Sequence, residues 1–170
     1  KTYWHPDKSI KGVDFQTGAL GHGLAIGIGI AKYYKVNRIN KWVVVMVGDG
    51  ELNEGSIWES FLISKNWNLG NLIIIIDKNK FQANDKTQKI LSLGNLEKKI
   101  ISFDLNLIEI NGHNYLNIDK KFSNLKKDNI PKVIIAKTKR NFGIYSIQNK
   151  KEFWYVDKSE RKLEQFKIRF

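Results

Sequence analysis

The sequence predicts an α/β fold with a mainly parallel sheet, on three observations. Apolar, strand-like runs alternate along the chain with amphipathic segments. The two strongest runs, residues 42–47 and 71–77, are separated by a stretch of the length a helical crossover between parallel strands requires. Both runs lead into acids or an amide, Asp49 after the first and Asp77 and Asn79 at the second. In open parallel sheets ligands bind beyond the carboxyl ends of the strands. Helices on both faces of such a sheet give a three-layer α/β/α sandwich.

With 170 residues the chain suffices for one domain with a full core, so residues 1–170 are expected to form a single domain. There are no cysteines, which excludes disulfides, thiolate metal sites and a cysteine nucleophile. Any metal must be held by oxygen or imidazole. The longest uncharged apolar stretch, residues 72–76, is far below the roughly 20 residues a bilayer needs. No signal peptide is visible, and cytoplasmic is the default expectation. The first residue is Lys1 rather than Met, as in a piece of a longer chain. The formal net charge of +12 comes from lysines spread along the sequence, without a dense basic block or an RNA-binding aromatic signature. It reads as a lysine-rich surface that attracts phosphorylated metabolites rather than nucleic acid.

Element by element, residues 1–17 read as irregular, with His5-Pro6 and Gly12 as breakers. Residues 18–35 read as a helix containing Gly18, Gly21, Gly23, Gly27 and Gly29. A glycine inside a helix costs about 1 kcal/mol against alanine, so several together imply a tight core helix or the close approach of a ligand or backbone. Residues 42–47 read as a continuously buried strand, and residues 51–66 as a helix with Ile57/Phe61 and Trp58/Leu62 paired at i, i+4. Residues 71–77 form a second buried strand, followed by a polar loop over 78–87. A third strand spans 105–110, and Asn114 is placed to cap a helix with Ile118, Phe122 and Leu125 on its apolar face. A fourth strand spans 132–136, a loop 137–149, and a charged, aromatic, partly helical extension 150–170.

The chemistry concentrates at Gly48-Asp49-Gly50, where a strand turns into a helix and flanking glycines allow the turn. A helix N-terminus suits a diphosphate through its free N–H groups and partial positive charge. An aspartate there repels that diphosphate unless a divalent cation lies between them. Mg²⁺ takes about six oxygens from carboxylate, carbonyl, phosphate and water. Asn79, one strand–helix–strand unit later, is placed to give a second oxygen.

Gly-Asp-Gly followed by such an asparagine resembles the thiamine-diphosphate fingerprint. The run from Gly48 through Glu51-Leu52-Asn53-Glu54-Gly55 to Glu59 is similar to transketolase, above all to its split N-terminal subunits. Trp4-His5-Pro6-Asp7, Gly12-Val13-Asp14, Thr17-Gly18-Ala19-Leu20-Gly21-His22-Gly23, Asn68-Leu69-Gly70-Asn71 and Asp77-Lys78-Asn79-Lys80-Phe81-Gln82 extend the match over about residues 4–138. The resemblance implies the thiamine-diphosphate-binding fold and a cofactor site including Gly48, Asp49, Gly50, Glu51 and Asn79. In it Asp49, the Asn79 amide and the Phe81 carbonyl bind Mg²⁺ or Ca²⁺, and the Gly50 N–H meets the diphosphate. Gly18, Ala19 and Leu20 resemble the turn that contacts the aminopyrimidine. His5 matches a histidine beside the donor sugar, and Glu54 and Glu59 match glutamates at the subunit interface. Glu51, Glu54 and Glu59 also read as a solvated helix face, while His22 and His113 read as structural.

By the same resemblance the activity is transfer of a two-carbon ketol unit between sugar phosphates, in a homodimer or heterotetramer. The catalytic glutamate at the pyrimidine ring comes from a partner pyrimidine-binding C-terminal subunit or domain. Three departures stand against the pattern. A helical segment with a further active-site histidine, expected before Lys1, is not in the sequence, so the domain reads as N-terminally truncated. Arg140-Asn141-Phe142-Gly143 and Trp154-Tyr155 replace a Lys-Gly-x-Gly loop and a Trp-His pair, and Lys78 replaces a first asparagine. A degenerate relative that binds without turnover remains an alternative. So does a thiamine enzyme of the 1-deoxyxylulose-phosphate synthase or 2-oxo acid dehydrogenase type, against which Glu51-Leu52-Asn53-Glu54-Gly55 and His5-Pro6 argue.

Overall fold

A computed structural model describes residues 5, 7–83, 85–144 and 148–149. The expectations placed on Trp4, Pro6, Trp154, Tyr155 and the 150–170 extension lie outside the described residues. Four parallel strands, β1 (Val43–Gly48), β2 (Leu72–Lys78), β5 (Asn106–Asn111) and β6 (Lys132–Lys137), form one sheet in the order β1-β2-β6-β5. The register aligns Gly48 with Asp77, Asp77 with Ala136, and Lys137 with Asn111. The carboxyl tips of all four strands therefore lie along one edge.

Alternation along the strands builds two cores. Leu72, Ile74 and Ile76, with Val133 and Ile135, pack beneath α1 (His22–Val36), α2 (Gly55–Asn66) and α4 (Leu96–Ser102) through Leu24, Ile28, Ile57, Phe61, Leu96 and Ile100. Ile73, Ile110, Ile134 and Ala136 pack on the opposite face against Ile118, Phe122 and Leu125, the apolar stripe on and just beyond α5 (Tyr115–Ser123). Three layers result, as the sequence predicts. Asn114 caps α5 by accepting the Asn117 N–H at 2.9 Å.

Several local expectations are corrected. The strand over 42–47 is not continuously buried. Val44 is 54% and Met46 65% exposed, because β1 is the sheet edge in this order and α5 covers the opposite end of that face. The helix expected over 51–66 is broken. A 3-10 turn, Glu51–Asn53, is followed by Glu54 in extended conformation (φ −80°, ψ 127°), and α2 begins only at Gly55. Leu62 is exposed although its pairing partner Trp58 packs with Phe61 and Phe103. The polar loop over 78–87 holds a small hairpin, β3 (Phe81–Gln82) with β4 (Asp85–Lys86), followed by the short helix α3 (Thr87–Ile90). The α4 helix has no counterpart in the sequence reading. Its cap is Asn95, which accepts the Lys98 N–H at 2.8 Å.

The glycine-rich helix begins at His22, later than expected, because Gly21 stands in left-handed conformation at φ 79°. Gly27 lies where helix meets strand. A Cβ there would approach Val45 Cγ2 to 2.2 Å, so this glycine serves tight core packing.

Candidate functional site at the carboxyl edge of the sheet

Asp49 follows β1 directly, and its N–H donates to the Asp77 carbonyl at 3.1 Å, carrying the parallel pairing one residue past the strand. Its side chain is buried, at 3% exposure. One carboxylate oxygen, Oδ2, accepts the Lys80 N–H at 2.7 Å. The other, Oδ1, is buried and makes no well-formed hydrogen bond among the described residues, although the Thr87 hydroxyl and the Gly50 N–H lie near enough to the carboxylate to pull its pKa down. Burial pushes the carboxyl pKa up, the Lys80 N–H pulls against it, and the charge of Asp77 adds to the rise. A buried carboxylate oxygen without a well-formed hydrogen bond carries a desolvation cost that a bound cation removes.

Asn79 sits on the neighbouring tip, in the turn that wraps around this carboxylate. Its Oδ1 accepts the Phe81 N–H at 2.8 Å and its Nδ2 donates to Asp77 Oδ2 at 2.9 Å. The amide is thereby oriented, and its oxygen keeps one lone pair. Asp77 also accepts the Thr138 hydroxyl, so it ties the tips of β2 and β6 together. Lys80 (φ 69°) and Ala83 (φ 45°) take left-handed backbone to close the turn. No cluster of three or more His, Asp or Glu side chains able to hold a metal exists among the described residues. Asp49 and Asn79 instead bring a carboxylate and an amide oxygen to neighbouring strand tips. This mixed oxygen set fits a hard divalent cation that keeps phosphate and water ligands.

The Gly48–Gly50 turn does not use the glycine conformations expected of it. Gly50 has φ −68°, open to any residue. Its lack of a side chain is instead demanded by Gln82, whose Cγ would lie 2.6 Å from an added Cβ. Gln82 is held there by Asn53, whose Nδ2 donates to Gln82 Oε1 at 2.7 Å.

Glu51 departs from the solvated-face reading. Its Oε1 accepts the Gly21 N–H at 2.8 Å and its Oε2 the Gly48 N–H at 3.2 Å. Ser56 Oγ donates to the Gly21 carbonyl at 3.0 Å. The turn containing Gly18, Ala19 and Leu20 is thus attached directly to the Gly48–Gly50 turn. All three of those residues are exposed, and His5 stands beside them: a Cβ at Gly18 would lie 3.8 Å from His5 Cδ2. Glu54 and Glu59 are exposed. His22 caps its own turn through Nδ1 and the Leu20 carbonyl, 3.0 Å apart. His113 stacks on Phe142 with ring centroids 3.7 Å apart and accepts the Lys139 N–H. Both therefore have the structural engagements expected of them.

Four residues of this region were not singled out as site residues in the sequence. Asp77 and Thr138 orient Asn79, Gln82 fills the space above Gly50, and Arg140 donates to the Ala83 carbonyl at 2.9 Å while lying 5.4 Å over the Phe81 ring. Asp77 had a signal, its place at a strand end. Arg140 had none, because its partners lie 57 residues away along the chain.

The family described as the transketolase thiamine diphosphate binding domain matches residues 1–170. The chain is 35% identical to one of the subunits of an apulose-4-phosphate transketolase from Actinobacillus succinogenes, covering 98% of this chain and 65% of that protein. It is 33% identical to a protein of the same name from Phocaeicola vulgatus, covering 82% of this chain and 50% of that one. The chain thus spans about half to two-thirds of the length of these relatives. Among solved structures, transketolase from Campylobacter jejuni superposes with a TM-score of 0.77 at 29% identity, over 87% of this chain and 24% of that one. With the parallel sheet and the Asp49 turn hydrogen-bonded to Lys80 beside Asn79, these matches show that the chain belongs to the transketolase thiamine-diphosphate-binding domain family.

Proposed function

We propose that this chain is the diphosphate-anchoring subunit of a split transketolase, working with a pyrimidine-binding partner to move a two-carbon ketol unit between sugar phosphates. The observation that carries the reading is the buried Asp49 carboxylate, whose Oδ1 makes no well-formed hydrogen bond and whose Oδ2 is held by Lys80, the neighbour of Asn79. Asp49, the Asn79 amide and the Phe81 carbonyl would hold Mg²⁺ or Ca²⁺. The Gly48 N–H is already taken by Glu51, and by the family resemblance the Gly50 N–H, beside the Asp49 carboxylate, would meet the diphosphate. The Gly18, Ala19 and Leu20 backbone would meet the aminopyrimidine, with His5 beside it on the side of the donor sugar.

When bound, thiamine diphosphate supplies the carbanion chemistry that breaks and remakes the carbon–carbon bond. The residues of this chain bind and orient it, and the acid that protonates the pyrimidine belongs to the partner. Two relatives whose names make them one component of a multi-chain transketolase support the split arrangement, in a homodimer or heterotetramer of the assembled enzyme. The apulose 4-phosphate in their names supports a phosphorylated donor, in keeping with the basic charge of +12. Exposed Leu62 and Ile63 follow Glu59 at i+3 and i+4 on α2, and Ile26 and Tyr33 lie exposed on α1, as a partner surface requires.

Calorimetry with thiamine diphosphate and Mg²⁺ tests the site: the wild-type chain should bind and Asp49→Ala should not. Equal heats for the two would sink the metal assignment. A ketol-transfer assay on the chain mixed with its pyrimidine-domain partner tests the activity. Intact binding without turnover would assign the chain to the non-catalytic class.

A further inference from the structure

Glu51 makes contacts that neither a solvated face nor a direct cofactor ligand requires. Its two carboxylate oxygens are spent on two backbone N–H groups from turns 27 residues apart in sequence, Gly21 at 2.8 Å and Gly48 at 3.2 Å. Gly21 is gripped from its other side as well, its carbonyl accepting from Ser56 Oγ at 3.0 Å. Nothing larger than glycine fits: an added Cβ would lie 2.4 Å from Ser56 Oγ and 2.9 Å from Glu54 Cβ, and the residue stands at φ 79°. The first turn of α1 and the segment 51–56 therefore close on each other with no slack.

We propose that Glu51, with Ser56, is a positioning clasp that sets the spacing between the aminopyrimidine-contacting turn (Gly18, Ala19, Leu20) and the diphosphate turn (Gly48, Asp49, Gly50). The proposal rests on the functional reading above for the identity of the ligand, while the clasp itself rests on geometry alone. A ligand with an organic base at one end and a diphosphate at the other touches both turns at once, and its affinity depends on their separation. A ligand that is only a diphosphate touches one turn and is indifferent to the other.

Two ligand probes separate these cases: Mg²⁺ with thiamine diphosphate and Mg²⁺ with inorganic pyrophosphate, each titrated calorimetrically into the full chain. Glu51→Ala is expected to weaken thiamine diphosphate about 10-fold or more, in the range seen for residues that orient ligating groups, and to weaken pyrophosphate by less, through the freed Gly48 N–H alone. Ser56→Ala, which releases the Gly21 carbonyl without touching Gly48, should weaken thiamine diphosphate while pyrophosphate binding stays close to wild type, and it serves where Glu51→Ala fails to fold. Equal loss of both probes, or of neither, overturns the proposal.

Amide hydrogen exchange supplies a readout free of any ligand. In the ligand-free chain the Gly21 amide should exchange faster in Glu51→Ala than in wild type, and unchanged exchange there overturns the clasp. A wild-type chain with no Mg²⁺-dependent heat for thiamine diphosphate instead overturns the cofactor reading and, with it, the selective-loss half of this proposal. The exchange result still decides the clasp.

Discussion

Asp49 shows how a residue in this chain is placed against its own stability. A buried carboxylate with one oxygen lacking a well-formed hydrogen bond costs free energy in the ligand-free state, and burial raises its pKa accordingly. The cost persists because the Lys80 N–H and the surrounding turn hold the carboxylate where a cation would meet it. Asp49→Asn removes the charge and keeps the shape. The ligand-free variant should therefore melt at or above the wild-type temperature. Addition of Mg²⁺ and thiamine diphosphate at 100 times the dissociation constant should stabilise wild type by about 2.7 kcal/mol and leave the variant unmoved. Thermal melts with and without ligand measure both effects, and a variant stabilised as much as wild type would refute the role.

Among the elements, the α1 helix carries two glycines with opposite consequences. A Cβ at Gly27 would meet Val45 Cγ2 at 2.2 Å, whereas one at Gly29 meets nothing within 4 Å. Gly27→Ala should destabilise the chain by about 1–3 kcal/mol through overpacking. Gly29→Ala should stabilise it by about 0.5–1 kcal/mol through helix propensity. Denaturant unfolding of the two variants checks the contrast.

The tip of β2 is braced against α4 by Lys78 and Glu97, 2.5 Å apart and each about a quarter exposed. The Lys78 hydrogen bond holds the Glu97 pKa below its ordinary value of 4.5, and the Glu97 backbone N–H adds to this. A depressed carboxyl pKa contributes stability that is present above the unfolded value and lost as pH falls through the folded one. Glu97→Gln should thus cost about 0.5–1 kcal/mol at neutral pH. Its deficit against wild type should close as pH drops below 4.5, which melts across an acid series would follow.

At the scale of the whole molecule, exposed apolar side chains on α2 form the surface proposed for assembly. Leu62 and Ile63 emerge from α2 at 59% and 41% exposure, on the helix that also presents Glu59. Leu62→Lys should change unfolding free energy by no more than about 0.5 kcal/mol, as surface substitutions do. It should weaken association with a pyrimidine-domain subunit, read by analytical ultracentrifugation of the mixture. Unchanged association would move the partner surface elsewhere. Among the described residues no helix is long and apolar enough to cross a membrane.

The sequence by itself determined the parallel α/β layering and the side-by-side placing of the loops that carry Asp49 and Asn79. These rest on properties that neighbouring residues carry: periodicity, turn chemistry and the length of a strand–helix–strand crossover. It could also mark Ile118, Phe122 and Leu125 as an apolar stripe, half-buried against the sheet, because their spacing is helical. Only the tertiary structure decided that Val44 and Met46 face outward, since burial of a strand depends on its place in the sheet order and on which helix covers that face. It alone decided that Glu51 spends its carboxylate on Gly21 and Gly48, that Asp77 and Thr138 aim Asn79, and that Arg140 braces Phe81. Apart from the local Glu51–Gly48 and Asp77–Asn79 bonds, those contacts join segments whose separation in sequence carries no trace of their proximity, so they exist only once the sheet has assembled and brought its edges together.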